Sequence, residues 1–296
     1  MRTPIKLAAV AAALLLPLAS QASAVTTVKP GLTHLTRTSD WGKPSPDPMG
    51  LAYRPSSNTI FVVDSEVEET ALWGGVNLWE MSRSGSVVGQ GSTTKFSVEP
   101  TDIAYSPKSK RFFVADDDLD RIFVVATGAD NKMGTPDDRV RSFSTAAFGS
   151  RDAEGLGFGA GTLWITDGVG QQVFKVKPGA NKTFDGIAPE GDDTVTHFST
   201  AGLGLNDPED VEYNRVNNHL YIVSRVDKII AETSPIGALR KVYDLTDSNI
   251  NQPAGITLAP STNGTGKALF VADRGYDNEL HPNENDGRIF EFKRTA

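Results

Sequence analysis

The chain has 296 residues, no cysteine and a formal net charge of −8 at pH 7. The lack of cysteine excludes disulfides, thiolate metal sites and a cysteine nucleophile. The acidic balance argues against nucleic acids and anionic membranes as partners, because both repel a negatively charged surface. Cation binding, or simple solubility, agrees with this charge.

The first 24 residues have the organisation of a secretion signal. Two basic residues open the segment, an apolar run follows at 7–18, and the small residues before Val25 fit cleavage after Ala24. The run is shorter than the ~20 residues of a membrane span. We therefore expect a signal peptide over residues 1–24, an exported protein (secreted or periplasmic) without a membrane span, and one domain over residues 25–296.

The mature sequence repeats one unit of paired short strands five times. In four units the second strand ends in an aspartate, and the third residue of each unit marks the repeat. These markers are Gly50, Asp102, Gly155, Asp210 and Gly255, separated by 52, 53, 55 and 45 residues. A period near 50 residues is typical of solenoids, propellers and arrays.

In chain order, each unit predicts an inner strand followed by further strands. The second strands are short runs of β-branched and aromatic residues, which is typical of burial on both faces. Their centres are 61–63, 112–114, 163–165, 220–223 and 269–271. Third strands are predicted at 78–81, 122–125, 173–176, 229–231 and 289–292. Fourth strands are predicted only in units one to four, near Phe96, Phe143, Phe198 and Tyr243.

The fifth unit ends without a fourth strand, and residues 33–36 precede unit one without a partner. We expect residues 33–36 to pair beside the strand at 289–292 and to close a ring. Four antiparallel strands per unit is the composition of a propeller blade. The sequence therefore predicts an all-β fold, a single β-propeller of five four-stranded blades, with six blades or an open solenoid as alternatives.

Acidic residues are expected to crowd the mouth of the propeller channel, where the turns before the inner strands meet. Glu154 and Glu209 stand where the other units have Met49, Thr101 and Ala254. A purely structural requirement would recur in every blade, so this asymmetry favours function. Asp102 and Asp210 replace glycine in a similar way. The predicted metal ligands are Glu154, Glu209, Asp102 and Asp210.

The metal expected at this mouth is Ca²⁺ or another divalent cation. Crowded carboxylates repel one another unless some are protonated or a cation neutralises them. Hard oxygen ligands without cysteine favour Ca²⁺ over Zn²⁺ or copper.

The aspartates that end the second strands form an outer ring on the same face. They are Asp64, Asp116, Asp167 and Asp273. One interpretation is that they contact a substrate at the mouth. The other is that each one bonds the backbone of its own turn, as aspartate often does.

Two acidic hairpins at 128–140 and 179–198 belong to the opposite face and look like a duplication. Each has an Asp-Asp pair before its fourth strand, Asp137 and Asp138 in the first and Asp192 and Asp193 in the second. A peripheral Ca²⁺ site is one interpretation. Plain hairpin turns are the alternative, and the spacing does not match an EF-hand loop.

The long loop at 274–287 carries further candidates. His281 is the one histidine predicted on the mouth face and is a candidate general base, although a solvated loop histidine is the alternative. Arg225 and Arg274 occupy matching places in units four and five and are candidates for binding an anionic group of a ligand.

The strand patterns PEDVEY…HLYIVS and PAGITL…ALFVAD resemble blades of Asn-His-Leu-repeat propellers and of the gluconolactonase and regucalcin group. The resemblance covers the mature chain at the level of blade pattern. It implies a propeller fold, and it implies that Glu154 or Glu209 is a metal-binding glutamate. That lactonase group also uses an Asn-Gly turn, which has no counterpart at a matching mouth position here, and it is usually six-bladed.

Two functional hypotheses follow. The first is an exported, metal-dependent hydrolase that opens a lactone or ester, with Glu154, Glu209 and His281 as catalytic candidates. The second is a non-catalytic propeller that binds a protein or glycan and uses Ca²⁺ for rigidity. We expect a small-molecule or glycan ligand at the channel mouth, and we expect a monomer.

Overall fold

A computed structural model of the protein describes residues 25–276, 278 and 280–294. The predicted signal peptide lies outside the described residues. Within them, 21 strands form five sheets arranged as the blades of a propeller, which confirms the predicted fold class and the count of five.

Two strands precede the first blade, and the blades then follow in chain order. The two leading strands are β1 (Thr26–Val28) and β2 (Leu32–Arg37). Blade 1 contains β3 (Pro48–Arg54), β4 (Thr59–Asp64), β5 (Leu78–Ser82) and β6 (Val87–Gly91). Blade 2 contains β7 (Asp102–Ser106), β8 (Arg111–Asp116), β9 (Arg121–Ala126) and β10 (Arg139–Ser144).

The remaining blades repeat the pattern. Blade 3 contains β11 (Ala153–Gly159), β12 (Thr162–Asp167), β13 (Gln172–Lys177) and β14 (Thr194–Ser199). Blade 4 contains β15 (Pro208–Asn214), β16 (His219–Ser224), β17 (Ile229–Thr233) and β18 (Leu239–Asp244). Blade 5 contains β19 (Pro253–Pro260), β20 (Lys267–Asp273) and β21 (Arg288–Lys293), and β2 completes it.

The N-terminal strands close the ring. β2 pairs antiparallel with β21, with Leu35 opposite Phe290, which confirms the predicted pairing. β1 adds a fifth, parallel strand to blade 4, with Thr27 opposite Val242, and the sequence did not predict it. β1 and β2 are consecutive in the chain and pair with neighbouring blades, so together they hold blade 4 against blade 5. An ion pair between Lys29 and Asp247 lies beside this junction.

Local structure departs from the sequence prediction in blade 1. Its fourth strand is β6, which ends before Phe96. Phe96 instead follows a turn at Thr93, whose carbonyl accepts the N–H of Ser97, and its ring packs on Phe123 of blade 2. In the part of the chain that the structure describes, the helical segments are 3₁₀ turns of three residues, and no helix is long and apolar enough to cross a membrane.

The hydrophobic core lies between the blades. Five clusters of buried side chains occupy the five interfaces between neighbouring blades, including the interface between blades 5 and 1. Representative members are Phe61 with Phe112, Phe113 with Phe174, Trp164 with Tyr213, Tyr221 with Phe290, and Trp79 with Phe270. Burying one such side chain contributes roughly 1.5–3 kcal/mol, so the ring is held at every interface.

Two aspartates of the inner strands, Asp102 and Asp210, meet at the centre of the ring, and we call them the axial pair. Each inner strand directs one backbone N–H toward the axis. Asp102 Oδ1 accepts the N–H of Leu51 at 3.1 Å, and Asp210 Oδ2 accepts that of Ile256 at 2.6 Å. The N–H of Leu156 contacts both aspartates. With Ile103 and Val211, all five blades donate to the axial pair.

The glycines at the matching positions let the strands approach this centre. A Cβ on Gly50 would lie 2.4 Å from the Cα of Asp102, and one on Gly155 would lie 2.3 Å from the Cα of Asp210. Both distances are shorter than van der Waals contact. Glycine alternates with aspartate at the marker positions because a side chain at Gly50 or Gly155 would collide with the neighbouring aspartate.

The axial pair holds a proton. Burial and then the charge of Asp210 raise the pKa of Asp102 well above its ordinary value. Burial also raises the pKa of Asp210 to about 7, although hydrogen bonds from Asp102 and the backbone lower it. Asp102 therefore donates a hydrogen bond to Asp210 at neutral pH. The space beside the pair leaves no room for a water molecule, so the pair closes the channel and forms the floor of the mouth.

Replacing Asp102 with alanine should destabilise the fold. The substitution removes the acceptor for Leu51 and the proton donor to Asp210, and buried donors without partners cost about 1–3 kcal/mol each. We expect a loss of about 3–5 kcal/mol in the free energy of unfolding, measured with urea. Asp102→Asn keeps one acceptor and one donor and should lose less. An Asp102→Ala protein as stable as the wild type would contradict the axial role.

The axial pair also predicts an unusual pH dependence. An unfolded aspartate has a pKa of ~3.9, whereas the folded pKa of Asp210 is about 7 and that of Asp102 is also raised. The folded state therefore keeps a proton that the unfolded state loses. The contribution of Asp210 is complete below pH ~4 and is lost as the pH rises through about 7, and that of Asp102 continues to fall at higher pH, by up to ~1.4 kcal/mol per pH unit for each proton. Chemical unfolding in a chelator should show Asp102→Asn with a shallower decline than the wild type, and identical slopes would count against the shared proton.

Candidate metal centre at the channel mouth

Glu154 and Glu209 reach the mouth because the inner strands are irregular where these residues lie. The pairing register shifts between Ala153 and Gly155 in blade 3, and between Pro208 and Asp210 in blade 4. A β-bulge re-aims the side chain of the extra residue. Both glutamates therefore line the narrow space directly above the axial pair, together with the Met49, Thr101 and Ala254 of the other blades.

Glu154 belongs to a group of three carboxylates. Oxygen atoms of Asp117, Asp152 and Glu154 lie within 4.8 Å of one another, and we call these residues the mouth cluster. Asp117 follows β8 of blade 2, and Asp152 precedes β11 of blade 3. A Cβ on Gly168 would lie 2.9 Å from Asp152 Oδ2 and 3.4 Å from Glu154 Cγ, so this glycine leaves the space that the carboxylates use.

The negative charge of the mouth cluster is poorly compensated. Burial raises the pKa of Glu154 well above its ordinary value, and the charges of Glu209, Asp117 and Asp152 raise it further. Burial raises the pKa of Asp117 to about 6 and also raises that of Asp152. Within the described part of the chain, no hydrogen-bond donor contacts the carboxylate of Glu154.

The donor set fits a hard divalent cation. Ca²⁺ binds carboxylate oxygens at 2.3–2.6 Å, so two ligands of one ion lie at most about 5 Å apart. The oxygens of the mouth cluster satisfy this limit without rearrangement. A second overlapping group, Glu99, Asp117 and Asp118, continues the acidic surface outward, and burial raises the pKa of Glu99 to about 7.

Glu209 lies beside the mouth cluster and is paired with an arginine. Its side chain is 2% exposed, and Oε1 lies 3.0 Å from Nε of Arg225. Arg225 also donates to Asp207 at 2.9 Å. Burial raises the pKa of Glu209 to about 8 despite the opposing effect of Arg225. Arg225 is half-buried at the edge of the mouth, and one side of its guanidinium group contacts Asp207 and Glu209.

Arg274 and His281 lie in the neighbouring sector of the mouth face. Arg274 is buried and holds Asp47 with two hydrogen bonds, of 2.6 and 3.0 Å, and it also contacts Glu66. His281 is exposed on the loop after β20, where its ring lies 5.9 Å from that of Tyr276. The structure therefore places Arg274 within an ion-pair network and His281 in solvent.

The four predicted metal ligands separate into three environments. Glu154 joins the mouth cluster, Glu209 pairs with Arg225, and Asp102 and Asp210 form the axial pair below them. The sequence prediction missed Asp117 and Asp152 as partners of Glu154, although both belong to the acidic turns of the mouth face. Their proximity depends on how blades 2 and 3 pack, which the repeat pattern alone does not specify.

The outer aspartates are occupied by backbone hydrogen bonds. Asp64 accepts N–H groups of Asp47 and Val67 at 3.0 and 2.9 Å. Asp116 and Asp167 cap the turns that follow them, and Asp273 accepts the N–H of Gln252 at 2.7 Å. These contacts support the interpretation of the outer ring as turn residues.

Blade 4 shows how the same turn is built without that aspartate. Ser224 stands at the matching position, and its hydroxyl donates to Asp227 at 2.7 Å. Asp227 accepts the backbone N–H of Asn206 at 2.7 Å. A carboxylate three residues further on thus connects the same two turns.

The two acidic hairpins on the opposite face satisfy most of their own oxygens. Asp137 accepts the N–H of Ala129, and Asp192 accepts that of Ala180. Asp138 and Asp193 likewise cap turns within their own hairpins. The identical arrangement confirms that the hairpins are alike, and it supports the turn interpretation. Oxygens of Asp185, Asp192 and Asp193 also lie within 4.8 Å of one another.

Comparison with known proteins confirms the propeller resemblance. The chain superposes on glutaminyl cyclase from Myxococcus xanthus with a TM-score of 0.57 and 13% identity, covering 91% of this chain and 98% of the other. A luciferin-regenerating enzyme superposes with a TM-score of 0.52 and 12% identity, covering 90% and 96%. Identities this low show a shared fold. No curated protein matches the sequence significantly.

A family model described as SdiA-regulated matches residues 45–263. The matched segment runs from the turn before β3 to the turn after β19, so it contains the axial pair and the mouth cluster. Because this match covers more than half of the sequence, the chain belongs to the SdiA-regulated family.

Proposed function

We propose that this protein is an exported, monomeric propeller that binds a divalent cation, Ca²⁺ first, at the channel mouth. The observation that carries the proposal is the mouth cluster, with carboxylate oxygens of Asp117, Asp152 and Glu154 within 4.8 Å of one another. The raised pKa of Glu154 supports it, because a bound cation would compensate charges that the protein itself compensates poorly.

We further propose that the cation serves hydrolysis of a lactone or ester of a small molecule or glycan. When bound, a divalent cation supplies Lewis-acid polarisation of a carbonyl oxygen. Glu209 lies next to the mouth cluster with its carboxylate buried. A neighbouring positive charge would lower its pKa from about 8 and favour the ionised carboxylate, which is the form that a general base requires.

The closed floor and the charged rim of the mouth favour substrate binding over passage through a pore. The axial pair blocks passage through the ring, so a ligand can enter and leave only from the open side. Arg225 at the edge presents a cation beside the acidic cluster, which suits a substrate that carries an oxygen-rich group.

Cation binding should stabilise the fold measurably. Ca²⁺ at about one hundred times its dissociation constant should raise the free energy of unfolding by about 2.7 kcal/mol. Asp152→Asn and Glu154→Gln should remove most of this response in calorimetric titration and thermal unfolding. Gly168→Ala should weaken it without changing the charge, because the new Cβ would lie against Asp152.

Glu69→Gln is the matched control for cation binding, because it removes one exposed charge from the same face outside the mouth cluster. It should bind Ca²⁺ as the wild type does. A wild type that does not respond to Ca²⁺, or an Asp152→Asn variant that responds normally, would contradict the proposed site.

Hydrolysis should depend on the same residues. With Ca²⁺ present, a panel of lactones and esters should reveal turnover, and Glu154→Gln or Glu209→Gln should lower kcat/KM by about a hundredfold or more. Arg225→Lys should mainly raise KM. If cation binding is confirmed but the wild type turns over none of the panel, the hydrolase proposal fails and the non-catalytic binding alternative stands.

A further inference from the structure

A second recess opens on the face opposite the mouth, directly beneath the axial pair. It is a cavity of about 100 Å³ whose walls begin at Leu51, Ile103 and Leu156, the residues that donate to the axial pair. The axial pair therefore separates it from the mouth cluster. The function proposed for the mouth does not use this cavity.

The residues that line the cavity follow the repeat in four blades and depart from it in one. At the position two residues after each marker, four blades carry small side chains, Ala52, Ala104, Gly157 and Thr257. Blade 4 carries Glu212 at that position. Four small residues leave space at the axis, and one carboxylate enters it. A packing requirement alone would not place a charged group there, because burying it is costly.

The carboxylate of Glu212 has little compensation within the protein. Its nearest hydrogen-bond donor is the hydroxyl of Thr257, 3.5 Å from Oε2. Burial and then the charge of Asp210 raise the pKa of Glu212 to about 8, while Lys267 and Arg215 act in the opposite direction. Both basic residues also line the cavity. Glu212 thus lies inside the recess, and Lys267 and Arg215 lie on its wall.

Aromatic rings form much of the remaining wall. Tyr53, Tyr105, Phe158 and Tyr213 hold the same place in four blades and line the cavity. Two of them are fixed by their hydroxyl groups, because Tyr53 donates to Asn58 at 2.9 Å and Tyr213 donates to Asn218 at 2.6 Å. Aromatic faces attract organic cations. The wall is thus preorganised for a small ligand with a positively charged group.

We propose that this cavity binds a small zwitterion, an amino acid or a similar amino-carboxylate. The ammonium group pairs with Glu212 among the aromatic rings, and the carboxylate faces Lys267 and Arg215. The size of the cavity limits the ligand to a few non-hydrogen atoms beyond these two groups. The site is independent of cation binding at the mouth.

The test uses the full-length wild-type protein with glycine as the probe. Ligand-observed NMR and thermal unfolding should detect glycine binding at about 10 mM or below. Methylamine and acetate, which each carry only one of the two charges, should bind about tenfold more weakly than glycine. Absence of glycine binding to the folded wild type, or equal binding of acetate and glycine, would overturn the proposal.

Substitutions locate the binding. Glu212→Gln and Lys267→Met should each weaken glycine binding about tenfold or more. Ala104→Val narrows the cavity from the opposite wall and should weaken it without touching either charge. Asp130→Asn, an exposed residue of the same face, is the control and should bind as the wild type does. Normal glycine binding by a folded Glu212→Gln or Ala104→Val protein would place the ligand elsewhere and overturn the proposal.

Discussion

Hydrogen bonds from the five inner strands to two aspartates organise the centre of the propeller, and both of its axial recesses are formed around them. A ring of strands directs backbone N–H groups at its own axis, and buried N–H groups need acceptors. Asp102 and Asp210 supply those acceptors for all five blades. The two residues can lie side by side because they share a proton, so the centre carries less charge than two carboxylates would.

This closed centre divides the axis into two unequal recesses. The mouth above it collects carboxylates whose charge the protein leaves partly uncompensated, which suits a cation. The recess below it combines one carboxylate with basic and aromatic residues, which suits an organic zwitterion. In both places the chemistry comes from blades that depart from the repeat, Glu154 and Glu209 above and Glu212 below.

The fold could be predicted from the sequence because three features indicate one closed ring. They are the repeat period, the composition of the strands and the missing fourth strand of the last unit. The pairing of β2 with β21 follows from counting strands. β1 could not be predicted, since three residues without a strong pattern give no signal until a neighbouring edge is known. Phe96 misled the prediction in blade 1 because an aromatic residue suits a packed turn as well as a strand.

The candidate site was less predictable because it depends on side chains from different blades. Glu154 stood out as an exception to the repeat, but its neighbours Asp117 and Asp152 become partners only when blades 2 and 3 pack. Asp102 and Asp210 also stood out as exceptions. Their acceptor role depends on the N–H directions at the axis, which the residue pattern does not reveal.

A crystal structure of the protein soaked with Mn²⁺, with the metal located by anomalous scattering, would test the mouth cluster directly. We expect one peak at 2.0–2.6 Å from oxygens of Asp117, Asp152 and Glu154, which is about the range of a hard divalent cation, and no peak between Asp102 and Asp210. A cation between the two axial aspartates, or an unoccupied mouth cluster at saturating metal, would contradict it.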